Sequence, residues 1–268
     1  AQTRKQLVRN IEAFKRLVKF APYVGGDSFT LADCVAFSNL PLIGMASKAA
    51  YGEDLLLAAG VEPLLQRDGR SPSIIVIVEP DGERTMLPDR GVAMTLTHPG
   101  PKALSGASWL HAPAYSLIGE PLGTTTNALF REAVSAGIPT SLDASSVGAL
   151  AAWGPEESRR RFGETGASHL FANEEEVEYL DLIKRPIANM TLIVKRGAGF
   201  AEVRDPHGRQ VATLPARPLS GAIDSTGAGD AFAGGFAVAR AGGTAWEDAL
   251  RAGHRAASAH LMEQQKRG

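Results

Sequence analysis

One cysteine, Cys34, is all that the sequence carries. It therefore has no internal disulfide framework and no cysteine-built zinc cluster, and a single thiol fits a reducing compartment. An excess of charge is missing as well: 28 basic residues stand against 29 acidic ones, for a net charge of −1. No global field argues for nucleic acid or an anionic membrane as partner. There is no run of about 18 apolar residues and no basic-then-apolar start, so the expectation is a cytoplasmic protein with no membrane association. Internal repeats and low-complexity tracts are also absent.

What is present is a 268-residue chain with an apolar share of 44%, ordinary for a globular core. That length suits one large α/β domain, alone or with a small addition. The chain is organised around Asp224-Ser225-Thr226-Gly227-Ala228-Gly229-Asp230, which runs directly into Ala231-Phe232-Ala233-Gly234-Gly235-Phe236. Small residues form a turn, an acid closes it, and a helix-like apolar pattern begins at once. Glycines at 227 and 229 permit backbone conformations closed to other residues, and Ala228 keeps the main chain bare. Amides of such a turn and of the first helical turn converge on one spot, a place for an anion. A carboxylate there, Asp230, repels a phosphate and needs another reason; taking a proton from an attacking hydroxyl supplies one. The plain alternative is a glycine turn ahead of an amphipathic helix, with Asp230 as an N-terminal helix residue.

The longer string D-S-T-G-A-G-D-A-F-A-G-G-F closely resembles the C-terminal signature of the ribokinase-like (PfkB-type) carbohydrate kinases. That resemblance implies an anion hole for the transferred phosphoryl group at Gly227, Ala228 and Gly229, with Thr226 beside the nucleotide. It makes Asp230 the catalytic base for the sugar hydroxyl. It covers residues 57–268 and implies ATP and Mg²⁺ as cofactors and a small-molecule sugar as substrate.

Residues 2–20 form an amphipathic helix on the spacing of Leu7, Ile11, Phe14, Leu17 and Val18, and Thr30-Leu31-Ala32-Asp33 is a capping box. The string Tyr23-Val24-Gly25-Gly26-Asp27-Ser28-Phe29-Thr30-Leu31-Ala32-Asp33 resembles part of the C-terminal helical domain of glutathione transferases. The likeness covers residues 3–55 and implies packing rather than catalysis. Two domains are therefore expected, a helical segment 1–56 and a ribokinase-like domain 57–268.

From Ser73 onward the chain alternates. Ser73–Val78 and Arg84–Leu87 flank Pro80-Asp81-Gly82, the signal of a β-hairpin. In sugar kinases a similar hairpin, with G-E-R-T and a glycine-alanine pair, helps build a lid over the sugar; here the pair reads Gly91-Val92-Ala93. Arg90 beside it is a candidate contact to a sugar or phosphate, or else a solvated loop arginine. Strands are expected at Ser108–His111, Pro139–Asp143, His169–Phe171 and Leu192–Lys195. Helices are expected at Thr126–Ala136, Glu156–Arg161 and Glu174–Leu180. Alternation of this kind predicts an α/β fold with a mainly parallel sheet covered by helices on both faces. Ligands of such sheets bind at the C-terminal ends of the strands, where Asp143, Asn173, Glu176, Lys195 and Gly197 fall.

Asn173-Glu174-Glu175-Glu176 reads as a helix cap followed by acids that suit the helix dipole. It also resembles the family's N-x-x-E element, which implies that Asn173 serves the nucleotide and Glu176 organises Mg²⁺, usually through water. Val194-Lys195-Arg196-Gly197 resembles the strand and glycine that the family places at the nucleotide phosphates, implying contacts from Lys195 and Gly197. Phe200–Val203 and Gln210–Leu214 form a second hairpin around Pro206-His207-Gly208, with His207 a loop residue. Two helices follow, one after Asp230 that Gly242-Gly243 ends and one over Trp246–His260. The second carries an alanine-rich packing face, and resemblance places His254 near the adenine.

The strand, sugar-contacting aspartate and Gly-Gly with which these kinases begin are not found in the first third. The reading is therefore a carbohydrate kinase whose sugar half is altered, expected to bind MgATP and to phosphorylate sugars poorly. Unpaired sheet edges favour association, so either lowered stability or a homo-oligomer is expected. The alternatives are a nucleotide-binding but catalytically impaired chimera or truncated kinase, and a glutathione transferase-like protein.

Overall fold

The computed structural model describes residues 73–78, 84–219, 225 and 227–265. The expected helical segment 1–56, the expected turn at Pro80-Asp81-Gly82, and Thr226 lie outside the described residues. Eight strands are described: β1 (Ser73–Val78), β2 (Arg84–Asp89), β3 (Leu110–Pro113), β4 (Thr140–Asp143), β5 (His169–Asn173), β6 (Thr191–Lys195), β7 (Phe200–Arg204) and β8 (Gln210–Pro215). β1 and β2 form an antiparallel two-stranded sheet, with Ser73 opposite Asp89 and Val78 opposite Arg84. The other six form one sheet in chain order, parallel where β3, β4 and β5 pair and antiparallel where β7 and β8 pair. With its interleaved helices this is the mainly parallel α/β fold expected from the alternation.

The chain divides into two compact units, each described by itself. One contains the described residues within Leu64–Ile193 and Asp205–Arg209, the other those within Val194–Arg204 and Gln210–Gly268.

In the first unit the helices are α1 (Leu122–Ser135), α2 (Val147–Leu150), α3 (Pro155–Glu164) and α4 (Glu174–Tyr179). The core is built from Phe130 of α1, Leu142 of β4, Phe162 of α3, Leu170 and Phe171 of β5, with Leu150 and Leu180, all fully buried. Strand β4, second in the sheet between β3 and β5, is buried at every position, as expected of a strand covered on both faces. Helix α3 begins with Pro155 at its first turn, followed by Glu156 and Glu157, and has Arg161 in its last turn; each position suits the helix dipole.

Helix α1 begins at Leu122, four residues ahead of the expected Thr126. Gly123 and the β-branched run Thr124–Thr126 weaken the local helix signal. The start is supported from upstream, where the Glu120 carboxylate accepts the Thr124 amide at 3.1 Å. Strand β3 lies two residues later than expected. The short helix α2, capped by Ser146 through the Ala149 amide at 3.2 Å, gave no periodic signal because it is a single turn. The 3-10 turns Gly91–Thr95 and Ala114–Leu117 escaped for the same reason.

In the second unit, helices α5 (Ala228–Ala241) and α6 (Trp246–Gln265) pack closely. Close approach requires Gly235: a Cβ there would lie 2.7 Å from the Ala252 carbonyl oxygen and 2.8 Å from the Ala256 Cβ. Gly253 is held the same way by the Phe232 ring. The alanine-rich face of α6 is therefore a packing face. Helix α6 extends past His260, where the sequence pattern ended.

Candidate active site

The glycine turn that organises the sequence opens α5. Gly227 is the residue before the helix, in the left-handed region at φ +78°. The helix proper starts at Ala228, so Ala228, Gly229 and Asp230 are its first three residues. The sequence reading attributed special backbone freedom to both glycines; only Gly227 uses it. Gly229 instead lies beside a cation. A Cβ there would stand 3.4 Å from the Lys195 Nζ, which β6 delivers at its C-terminal end. An ammonium thus lies against a helix start, where amides lack intrahelical acceptors and the dipole is positive.

The three proposed anion-hole residues are not equivalent. The Ala228 amide donates to the Ser225 carbonyl at 3.1 Å, closing the turn, and the Gly227 carbonyl accepts from Ala231 at 2.9 Å. Of the three, Gly229 is the one whose amide lies within the first helical turn without closing the loop. Asp230 is half-buried in that first turn.

His260 also reaches this turn, with its Nε2 2.9 Å from the point that a Gly227 Cβ would occupy. Sequence reasoning missed it, because nothing in the pattern of α6 distinguishes His260 from other polar positions. His254, which the sequence reading singled out, donates from Nε2 to the Leu214 carbonyl at 3.0 Å. Its ring meets Phe232 edge-on at 5.2 Å between centroids. Burial lowers its pKa, and the hydrogen bond to Leu214 opposes that in part.

Gly197 follows Lys195 in a tight link from β6 to β7, closed by the Gly199 amide on the Arg196 carbonyl at 2.9 Å. Its φ is +52°, yet nothing lies within 4 Å of a Cβ built there; the backbone angle alone requires glycine. Beside it Glu202, 2% exposed, faces Arg196 at 3.1 Å and Arg204 at 3.0 Å.

In the first unit Asn173 and Glu176 interlock. The Asn173 side chain accepts the Glu176 amide at 2.9 Å. In return, one Glu176 carboxylate oxygen accepts the Asn173 amide at 2.8 Å and the other its Nδ2 at 3.1 Å. This is a full capping box, and Glu176 is 2% exposed. Among the described residues no group of three His, Cys, Asp or Glu is placed to hold a metal. With both its carboxylate oxygens accepting from Asn173, Glu176 fits a role through water, since Mg²⁺ keeps several waters and takes its other ligands from phosphates.

At the end of β4, buried Asp143 accepts the Ser145 amide at 2.9 Å. Arg90 lies past β2, with its guanidinium 5.7 Å from the Tyr115 ring centroid.

Residues 38–266 match the family model for the pfkB family of carbohydrate kinases. The match begins inside the segment likened to glutathione transferases, and the comparisons give that likeness no support. Solved structures of similar fold include an adenosine kinase from Anopheles gambiae in complex with P1,P4-di(adenosine-5) tetraphosphate: 19% identity, TM-score 0.61, covering 75% of this chain and 66% of that one. A nucleoside kinase from Burkholderia thailandensis in complex with inosine shares 21% identity at TM-score 0.61, covering 85% and 76%. A ribokinase from Cryptococcus neoformans var. grubii in complex with ADP shares 24% at TM-score 0.58, covering 78% and 70%. The chain thus spans about two thirds to three quarters of the length of these structures.

Proposed function

Because the chain belongs to the pfkB family of carbohydrate kinases, we propose that it transfers the terminal phosphoryl group of ATP to a hydroxyl of a sugar or sugar-like acceptor. The observation that carries this reading is the Lys195 ammonium set against Gly229 at the start of α5. Two sources of positive potential converge there, an ammonium and a helix N-terminus, and both suit the charge that develops on a transferring phosphoryl group.

Asp230 follows in the same helical turn and takes the proton of the acceptor hydroxyl, a contribution of roughly 10²–10⁴-fold. The Gly229 amide and Lys195 stabilise the phosphoryl oxygens, while the left-handed turn at Gly227 and the Ala228 bond to Ser225 hold those donors in place. Thr226, Gly197 and Asn173 serve the nucleotide. His254, with Nε2 committed to Leu214, keeps Nδ1 as an acceptor, a partner for the adenine amino group. Mg²⁺ accompanies the nucleotide and neutralises phosphate charge; this chain's part in it is Glu176, acting through water. Arg90 contacts the acceptor.

The test is turnover of ATP with a panel of pentoses, hexoses and nucleosides, comparing the chain with Asp230→Asn. We expect acceptor-dependent ADP release that falls by at least 10²-fold in the variant, with ATP affinity within a few fold of the parent. Near-parental turnover in the variant overturns the role of Asp230. Bound ATP with no acceptor-dependent turnover in the parent identifies a nucleotide-binding protein instead.

A further inference from the structure

Helix α6 holds the start of α5 from one side. Both helices lie in the second compact unit. Along α6, Ala249, Gly253, Ala256 and His260 recur at helical spacing and so share one face. Ala249 is fully buried, Gly253 meets the Phe232 ring, and Ala256 lies against Gly235. These three are small, as close packing of two helices requires. His260 is the polar member of the seam. Gly235 meets Ala252 and Ala256, while Gly227 meets His260. The helices are therefore antiparallel, and the seam reaches the glycine turn at His260.

The ring arrives edge first. Nε2 lies 2.9 Å, Cε1 3.3 Å and Cδ2 3.8 Å from where a Gly227 Cβ would stand. The imidazole thus occupies the side-chain slot of a residue that has none. Gly227 holds φ +78°, and a glycine by itself moves readily between conformations. The far side of the same turn is held too. A Cβ on Gly253 would lie 2.8 Å from the Phe232 Cε2, and the His254 ring meets Phe232 edge-on at 5.2 Å. Gly227 and Phe232 flank Ala228, Gly229 and Asp230 in the chain, so α6 grips that segment at both ends.

We infer that His260 is a positioning residue for phosphoryl transfer. By filling the slot at Gly227 it holds the left-handed turn, and through the turn it sets the Gly229 amide and the Asp230 carboxylate. The Ala228 amide bond to the Ser225 carbonyl and the Ala231 amide bond to the Gly227 carbonyl adjoin the Gly227 backbone, so freeing Gly227 loosens both. A misplacement of about 1 Å at the reacting groups costs on the order of 10²-fold in rate. Nucleotide binding, which draws on further contacts, suffers less. The inference rests on the kinase reading for what the turn does, but not for the restraint.

The test compares the full chain with His260→Ala and His260→Gln. In His260→Ala the Ala228 and Ala231 amides should exchange hydrogen about tenfold faster or more, while those of Phe236 and Leu250, deeper in the two helices, keep parental rates. In a steady-state assay kcat should fall by about 10–10²-fold, with KM for ATP and acceptor within about threefold. His260→Gln, whose amide nitrogen can reach the place of Nε2, should recover part of both losses. A packing defect would instead speed exchange throughout both helices. That uniform rise, a parental kcat in His260→Ala, a loss carried by KM, or a Gln variant no better than Ala each overturns the inference. Absence of ADP release from the parent with every acceptor is failure of the kinase reading. Exchange at Ala228 and Ala231 needs no turnover and still upholds or overturns the restraint.

Discussion

Lys195 Nζ stands 3.4 Å from where a Cβ on Gly229 would sit, so a Cβ there would already touch the cation and a branched side chain would press into it. Gly229→Val should therefore displace the ammonium as well as crowd the helix start. We expect ATP affinity to fall about tenfold and turnover by about 10²–10³, the loss typical of a removed oxyanion donor. Calorimetry with ATP and a steady-state assay measure both. Unchanged ATP affinity would make the turn purely structural.

Gly227 is constrained twice, by a φ of +78° and by the His260 ring at 2.9 Å. Gly227→Ala should cost about 1–3 kcal/mol of stability for the strained backbone and the contact together. Combining it with His260→Ala removes the contact and keeps the backbone strain, so the double variant should recover part of the loss. Chemical denaturation of the four proteins in the cycle reads the coupling directly. Strict additivity would mean that His260 does not restrain the turn.

His254 gives a pH dependence of known sign. Burial lowers its pKa in the folded protein from an ordinary value of 6.5. Above that value both folded and unfolded chains hold it neutral. As pH falls below it, the unfolded chain takes up a proton that the folded chain resists, so stability drops through that window. The melting temperature should fall less between about pH 6.5 and 5 in His254→Gln, whose amide can still donate to Leu214. Identical profiles would show that His254 does not titrate differently on folding.

Much of this was legible in the chain itself. The alternation of β-branched runs with polar helical stretches is local information, and it placed β4, β5, β6 and α4 within a residue or two of their observed bounds. The helix cap at Asn173 was legible because it is local to the chain, while the return bonds from Glu176 that make it a full capping box were seen only in the structure. The boundaries that slipped, at β3 and α1, depend on support from outside the element, such as the Glu120 carboxylate on the Thr124 amide.

The sequence by itself determined the glycine turn, the acid after it and the family to which that string belongs, because each rests on residues adjacent in the chain. Tertiary structure decided which of those residues do what. Gly229 faces a lysine 34 positions earlier, Gly227 is closed in by a histidine 33 positions later, and Arg90 donates to carbonyls 25 and 28 residues away. Contacts at such separations leave no periodicity in a sequence. They form only when strand ends and helix starts are brought to one place, and at that distance side-chain size and charge, not local pattern, set the outcome.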